Sequence, residues 1–265
     1  MSKRSSTKQA NRKRRRLVRS FGTAEIINFQ GGGKFDNGKH ERAKFEHAKF
    51  EQERALPPIK AMNQAQADYL EALRSSPQVV VLGPAGTGKT WIAATHAADL
   101  FRRRAIAKIV LCRPNVPSGR SLGAFPGTLE EKFAPWAVPI TDAIRARMGR
   151  AAFDIAVKKG DIEMVPFEVM RGRSWSGAFV LLDEAQNATP SEIKTFLTRV
   201  GENCTVVVNG DVSQCDLDEK SGLSTVIHLV RSKGLPVPVV EFTIADIVRS
   251  GFCAMWVKAF AEARI

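Results

Sequence analysis

The residues from Gly83 to Thr90 have the types and spacing of a phosphate-binding loop. They read Gly-Pro-Ala-Gly-Thr-Gly-Lys-Thr and fit the pattern GxxxxGK[ST] in full. In such a loop, backbone N–H groups and the start of the next helix surround the phosphates of a nucleotide. Lys89 is expected to reach the β- and γ-phosphates, and the Thr90 hydroxyl to bind Mg²⁺. The predicted nucleotide site comprises Gly83, Pro84, Ala85, Gly86, Thr87, Gly88, Lys89 and Thr90.

Two adjacent carboxylates follow a short apolar run. Phe179–Leu182 has the character of a buried strand, and Asp183 and Glu184 come directly after it. Open α/β sheets bind their ligands at the carboxyl ends of the strands. We therefore expect Asp183 to hold Mg²⁺, directly or through a water, and Glu184 to polarise an attacking water. The alternative is a solvated turn. Because a base beside the metal acid favours hydrolysis, a small-molecule kinase is the weaker alternative reaction.

A third polar segment follows the apolar run Thr205–Val208. It reads Asn-Gly-Asp-Val-Ser-Gln from Asn209 to Gln214. Glutamine at such a position is typical of a γ-phosphate sensor, and Asp211 is expected to orient Gln214. Gly-Asp after a strand is also an ordinary turn, so this segment is weak evidence alone. Its order after the other two motifs favours a helicase-type ATPase core.

Alternating helical and strand patterns predict how these segments are positioned. Strands are predicted at Gln78–Leu82, Ile106–Cys112, Ile162–Val165, Phe179–Leu182, Thr205–Val208 and Val237–Phe242. Helices are predicted at Gln66–Leu73, Trp91–Arg103, Pro135–Met148, Ala151–Lys158, Pro190–Val200 and Ala245–Ala263. This alternation predicts a single α/β domain of the RecA-like P-loop NTPase class, with a mostly parallel sheet and helices on both faces.

The positive charge of the chain is concentrated at its N-terminus. The net charge is +13, and residues 1–20 contain nine lysines and arginines without an acidic residue. We expect residues 1–58 to form a basic, flexible arm with a charged helix, and residues 59–265 to form the ATPase domain. The arm either contacts the phosphate backbone of nucleic acid or is an idle solvated tail.

Composition indicates how many domains the chain can form and in which cellular compartment it is expected. With 44% hydrophobic residues in 265, the chain can form one well-buried core. No segment approaches the roughly 20 apolar residues of a membrane helix, and the basic N-terminus lacks the apolar region of a secretory signal. The four cysteines are scattered and are expected to be reduced thiols. We therefore expect a cytoplasmic protein that does not bind membranes.

Together, the motifs resemble those of the PhoH family, which are ATPases related to superfamily 1 helicases. The resemblance runs from about Asn63 to about Phe260. It is carried by Arg113-Pro114, Leu122–Gly127, Met170–Arg173, Asp183–Asn187, Phe196–Gly201 and Gly210–Gln214, in that order. It implies binding and hydrolysis of ATP with Mg²⁺, and some members of the family are linked to RNA unwinding or processing.

The resemblance also implies roles for four further residues. Gln66 resembles the glutamine that reads adenine in helicase-like ATPases, although it could equally be a helix-surface residue. Arg249 resembles the arginine that meets the γ-phosphate, and the alternative is an ordinary basic residue at the start of the last helix. Arg171 and Arg173 could serve the nucleotide or a nucleic acid, and the sequence leaves both possibilities open.

Two departures from the family pattern accompany this resemblance. Pro117–Arg120 replaces an acidic stretch found in many relatives, so the role of that loop is open to change. The pattern is also that of a short form without the PIN nuclease or KH-like domain of longer relatives, for which the basic arm could substitute.

A single RecA-like domain provides half of the cleft that a superfamily 1 motor uses. We therefore expect a ring-like homo-oligomer such as a hexamer, in which Arg249 would act on the ATP of the adjacent subunit. Two functions stay open: an ATPase stimulated by single-stranded nucleic acid, with RNA favoured and RNA unwinding as one form, or an ATP-dependent binding switch without unwinding.

Overall fold

The computed structural model describes residues 56–114, 129–167, 170, 172–217 and 220–263 of the chain. In this part, six strands form one sheet in the order β3-β2-β4-β5-β1-β6, and every adjacent pair is parallel. The strands are β1 (Gln78–Leu82), β2 (Lys108–Arg113), β3 (Ile162–Pro166), β4 (Ala178–Leu182), β5 (Thr205–Gly210) and β6 (Val239–Glu241).

Helices cover the sheet on both faces, so the central strands are apolar on both sides. All five residues of β4 are buried, for example. The helices are α1 (Gln64–Ser75), α2 (Lys89–Arg102), α3 (Leu129–Met148), α4 (Arg150–Lys159), α5 (Pro190–Leu197), α6 (Gly222–Lys233) and α7 (Gly251–Ala263). The predicted fold class is confirmed.

The hydrophobic core consists of two clusters, one on each face of the sheet. On one face, side chains of α1 to α4 pack against strand residues such as Val81, Leu111 and Leu181. On the other face, α5 and α6 pack against Val80 and Val208. Because alternate residues of each strand point to opposite faces, both helix layers are anchored to the same strands. The ends of those strands are thereby held in fixed positions.

The strand order determines which loops meet at the carboxyl edge of the sheet. β5 lies between β1 and β4, with Leu82 opposite Gly210 and Leu182 opposite Val208. The loop after β1 is therefore next to the segment after β5, which is in turn next to the segment after β4. All three chemical motifs of the sequence emerge side by side.

The structure differs from the predicted elements mainly at three helices. Helix α3 begins at Leu129 rather than at Pro135, and the other two helices lie near the C-terminus. The prediction omitted α6, which begins after the Ser221 cap and buries Leu223, Val226 and Val230. The last helix begins at Gly251 rather than at Ala245, so that part of the prediction is wrong. Residues 244–246 form a separate 3₁₀ turn, closed by a capping box between Thr243 and Asp246.

Within the described ranges, no helix is both long enough and apolar enough to cross a membrane. The boundary at residue 58 stays a prediction, since nearly all of the expected N-terminal arm lies outside the described residues. The loop Pro117–Arg120 lies outside them as well.

Candidate nucleotide and magnesium site

The loop after β1 is held between the two neighbouring strands. Gly83 N donates to Gly210 O of β5 at 3.2 Å, and Phe242 N, just after β6, donates to Leu82 O at 2.8 Å. Gly83 has a φ of +134°, and a Cβ at this position would lie 2.5 Å from Phe242 O. Only glycine satisfies both conditions, because L side chains avoid this φ and a Cβ would clash with the carbonyl. The backbone conformation at Gly83 is therefore fixed, and with it the direction in which the loop leads to α2.

The Lys89 side chain folds back onto the phosphate-binding loop. Its Nζ donates to Gly83 O at 2.6 Å and to Pro84 O at 2.9 Å. Burial lowers the pKa of Lys89, while Asp211, Asp183 and Glu184 oppose this by attracting the ammonium. The Lys89 ammonium therefore lies among carboxylates and backbone carbonyls, next to the expected position of the nucleotide phosphates.

Thr90 and Asp183 meet across the sheet edge, although 93 residues separate them in sequence. Thr90 Oγ1 donates to Asp183 Oδ1 at 2.8 Å, and only 5% of Asp183 is exposed. Burial, followed by repulsion from Glu184, raises the pKa of Asp183, while the hydrogen bond from Thr90 and the positive charges of Arg113 and Lys89 oppose this. A hydroxyl and a carboxylate are hard oxygen ligands of the kind that Mg²⁺ prefers. These two residues fit a magnesium ion.

Glu184 lies beside this pair in an unusual backbone conformation. Its φ of 54° and ψ of 40° are in the left-handed region, which residues other than glycine seldom adopt. Gln186 Nε2 donates to its Oε2 at 2.7 Å, and an Arg113 Nη2 lies 3.7 Å from its Oε1. Such strain persists only where the surroundings over-determine it, and it is frequent at functional sites. The carboxylate is therefore held from two sides.

Gln186 links the carboxylate segment to the segment after β5. Besides its bond to Glu184, its Oε1 accepts from Asp211 N at 3.0 Å, and Nε2 lies 3.4 Å from Gln214 O. Only 1% of the residue is exposed. Gln186 lies within the motif Asp183–Asn187, and the sequence alone predicts no role for it.

Asp211 and Gln214 are in direct contact. Gln214 Nε2 donates to Asp211 Oδ2 at 2.9 Å, and Ser213 donates from both N and Oγ to Asp211 Oδ1. The carboxylate of Asp211 is thus the centre of a small turn that presents the Gln214 amide. A γ-phosphate sensing role for Gln214 stays a prediction.

Gln66 joins the start of α1 to the phosphate-binding loop. Its Nε2 donates to Thr87 O at 3.0 Å, and its Oε1 accepts from Met62 N at 2.9 Å. Gln66 is 4% exposed, so it is a buried bridge rather than a helix-surface glutamine. Reading of adenine by Gln66 stays a prediction.

Arg249 lies in the nucleotide pocket of its own chain. Val248 N donates to Gly86 O at 3.0 Å, and a Cβ on Gly86 would meet the Arg249 side chain at 2.9 Å. Contact of Arg249 with a nucleotide, whether of its own chain or of a neighbouring subunit, stays a prediction. Arg173 instead pairs with Glu163 at 3.2 Å, and Arg171 lies outside the described residues.

These groups surround one cavity of about 560 Å³. Of the predicted site residues, its lining comprises Gln66, Ala85, Gly86, Gly88, Lys89, Thr90, Asp183, Glu184, Gln214 and Arg249. Asp211, which is expected to orient Gln214, lines the cavity too, whereas Gly83, Pro84 and Thr87 are absent from the described lining. The lining also contains residues for which the sequence alone predicts no role in a nucleotide site, namely Lys60, Met62, Trp91, Arg113, Pro139, Gly210 and Val248.

Comparisons with known proteins identify the family of this chain. The family model described as PhoH-like protein matches residues 58–261. Protein PhoH of Escherichia coli (strain K12) is 41% identical over 208 residues, covering 77% of this chain and 58% of that protein. A PhoH-like protein of Bacillus subtilis (strain 168) is 38% identical over 205 residues, covering 76% of this chain and 64% of that protein. The chain thus spans about three fifths of the length of these curated relatives.

Two helicases of known structure are distantly similar. The UvsW helicase from bacteriophage T4 aligns with a TM-score of 0.46 at 13% identity, over 76% of this chain and 67% of that one. The Pif1 helicase from Candida albicans aligns with a TM-score of 0.36 at 14% identity, over 70% of this chain and 40% of that one. The family match covers most of the chain and includes every motif of the site, so this chain belongs to the PhoH-like protein family.

Proposed function

We propose that this chain hydrolyses ATP with Mg²⁺ and water. The observation that carries the proposal is the 2.8 Å contact between Thr90 Oγ1 and Asp183 Oδ1. It joins the phosphate-binding loop to the carboxylate segment, so a bound triphosphate, its metal ion and a water would share one cavity. Mg²⁺, when bound to these two oxygens, would offset negative charge on the β- and γ-phosphates.

Four side chains would supply the remaining catalytic roles. Lys89 exchanges its two backbone carbonyl partners for phosphate oxygens, which are stronger acceptors for an ammonium. Glu184 orients and polarises the attacking water from its fixed position. Gln214 senses the γ-phosphate, and Arg249 adds positive charge where charge develops in the transition state.

Hydrolysis is favoured over transfer to a second substrate by the position of Glu184. Its side chain is 37% exposed, whereas Asp183 beside it is buried. Water therefore has access to the carboxylate that would activate it. A kinase instead needs a closed site that excludes water and orients an acceptor hydroxyl.

We further propose that single-stranded nucleic acid, with RNA favoured, stimulates this hydrolysis. The nine basic residues among the first twenty support contact with a phosphate backbone. RNA unwinding would need a second RecA-like surface, which a neighbouring subunit in a homo-oligomer, such as a hexameric ring, would supply. The alternative function, an ATP-dependent binding switch, would be favoured if nucleic acid did not change the rate of ATP hydrolysis. The cytoplasmic location stays a prediction.

The test is steady-state phosphate release from Mg-ATP, with and without single-stranded RNA or DNA. Glu184→Gln should reduce release at least 100-fold, whereas Glu71→Gln, an exposed glutamate on α1, should leave it unchanged. Equal rates for the Glu184→Gln and unmodified chains would refute the role of Glu184, and absence of release by the unmodified chain would refute the proposed hydrolysis.

Two further measurements test the nucleic-acid part. Stimulation by RNA should decrease when residues 1–20 are removed, because the basic arm supplies the phosphate contacts. Sedimentation of the chain with ATP at micromolar concentration should give the mass of an oligomer. A monomer under these conditions, with turnover unaffected by either polymer, would contradict the motor and favour the switch.

A further inference from the structure

Trp91 is a large aromatic side chain that lines the nucleotide cavity with half of its surface exposed. Its exposed fraction is 51%, although its neighbours Ile92, Ala93 and Ala94 are fully buried. Tryptophan usually buries most of its area when nothing binds to it. The hydrolysis described above gives this indole no role.

The position of Trp91 near the start of α2 places it beside the expected position of the nucleotide phosphates. In α2 the Ile92 N–H donates to Gly88 O at 2.9 Å. The N–H groups of Lys89, Thr90 and Trp91 precede that bond, and such groups at a helix start are donors for an anion. The indole therefore belongs to a residue whose backbone N–H is available to donate to a phosphate.

A second part of the chain converges on the same side of the loop. Gly88 precedes the first residue of α2, and a Cβ on Gly88 would lie 3.0 Å from Gln66 Nε2, so the Gln66 amide packs against the start of that helix. Gln66 and Trp91 line the same cavity. Met62 is held there by the bond from its N–H to Gln66, and it is 73% exposed and lines the cavity.

The residues that line the cavity offer different surroundings to the two ends of a nucleotide. The γ-phosphate belongs near Asp183, Glu184 and Gln214, where water would attack. The nucleoside must leave the loop elsewhere, and Met62 and Trp91 provide apolar and aromatic surface in the same cavity as Gln66. Aromatic rings stack on nucleobases, and a methionine sulfur packs favourably against aromatic rings.

The geometry points to Trp91 as the stacking platform for the nucleobase, with Met62 contributing to the same subsite. This inference rests on the proposed binding of ATP and deepens it. Stacking rewards ring area, so the platform selects purine over pyrimidine nucleotides. It does not separate adenine from guanine, because both present similar π-faces; that choice falls to hydrogen-bonding groups such as Gln66.

The test compares ligands with and without a base. Binding of Mg-ATP and of inorganic tripolyphosphate is measured by calorimetry for the unmodified chain, Trp91→Ala and Trp91→Phe. Trp91→Ala should weaken ATP binding roughly 10-fold and leave tripolyphosphate binding unchanged. Trp91→Phe should recover most of the ATP affinity, because phenylalanine keeps a stacking face.

A matched control is Trp256→Ala, which removes a tryptophan that is 58% exposed on α7 and is absent from the described cavity lining. It should leave both affinities unchanged. The preference for ATP over CTP should also shrink in Trp91→Ala but not in Trp256→Ala. Because both residues are exposed, thermal unfolding of the variants should match that of the unmodified chain.

Equal weakening of ATP and tripolyphosphate by Trp91→Ala would overturn the stacking role, since the residue would then act only on the loop. An unchanged ATP affinity in Trp91→Ala would overturn it too. If the unmodified chain bound neither ligand, the proposed nucleotide site itself would fail, and the inference with it. Failure of the stacking role and failure of the nucleotide site therefore give different results in this experiment.

Discussion

Gln186→Met tests whether the bridge between the carboxylate segment and the Asp211 turn matters for turnover. Methionine has nearly the same length and shape as glutamine but cannot replace its hydrogen bonds. The variant removes the 2.7 Å bond to the Glu184 carboxylate and the 3.0 Å bond from Asp211 N. The distant contact with Gln214 O at 3.4 Å contributes little.

The magnitude follows from these two bonds. A hydrogen bond to a charged group contributes about 2 kcal/mol and one from a neutral N–H about 1 kcal/mol, so unfolding should become about 3 kcal/mol easier. For a domain of this size, the Tm should fall by roughly 6–12 °C. Because Glu184 loses one of its two supports, kcat should fall by about 100-fold. The KM for ATP should change little, since the phosphate-binding loop is untouched.

The assay is phosphate release at several ATP concentrations and well below the new Tm, together with thermal unfolding. Gln64→Met is the matched control, because the exposed Gln64 donates to Asp68 on the surface of α1 and is absent from the described cavity lining. It should change neither quantity. A lowered Tm with kcat within three-fold of the unmodified chain would refute the positioning role, leaving Gln186 as a purely structural residue.

Three other predictions concern stability. Glu184→Gly should be about 1 kcal/mol more stable than Glu184→Ala in urea unfolding, because glycine tolerates the left-handed backbone of that residue; equal stability would show that the backbone is not strained. Gly83→Ala should destabilise by roughly 2–5 kcal/mol, since it combines a φ of +134° with a 2.5 Å backbone clash. Gly234→Ala, at a φ of +60° with nothing within 4 Å, should cost about 1 kcal/mol, and equal costs would contradict the clash. Burial, followed by repulsion from Arg103, lowers the pKa of His96 from 6.5 to about 4. Between these values the unfolded chain binds more protons, so acidification from pH 7 to 4.5 should remove about 2–3 kcal/mol of stability. His96→Asn should lack this part of the pH dependence.

Much of the site was predictable because its chemistry is local in sequence. The phosphate-binding loop is eight consecutive residues, and Asp183 and Glu184 directly follow an apolar strand. Parallel strands share a carboxyl edge, so strand prediction alone places these groups on one side of the sheet. The contact between Thr90 and Asp183 has this origin.

The bridging role of Gln186 depends instead on strand order. Gln186 meets Asp211 because β5 lies between β1 and β4, and nothing in the spacing of the motifs specifies that order. The ion pair between Arg113 and Glu184 likewise requires β2 and β4 to be neighbours. Such contacts are decided by the packing of the whole sheet.

Helix α6 was missed for a local reason. It begins with Gly222 and continues through Ser224 and Thr225, which are poor helix formers. Its signals were the Ser221 cap and an apolar stripe of buried residues, which outweigh propensity once the helix packs on the sheet. The exposure of Trp91 was also invisible, because an aromatic residue in an apolar helix is usually assigned to the core.

The central claim is that Glu184 acts on water while the rest of the site holds ATP. It is tested most directly by measuring ATP binding and phosphate release side by side in Glu184→Gln, with Mg²⁺ present. We expect ATP affinity within about three-fold of the unmodified chain and phosphate release reduced at least 100-fold. Retained release in the variant, or loss of ATP binding in parallel with release, would contradict this account of the site.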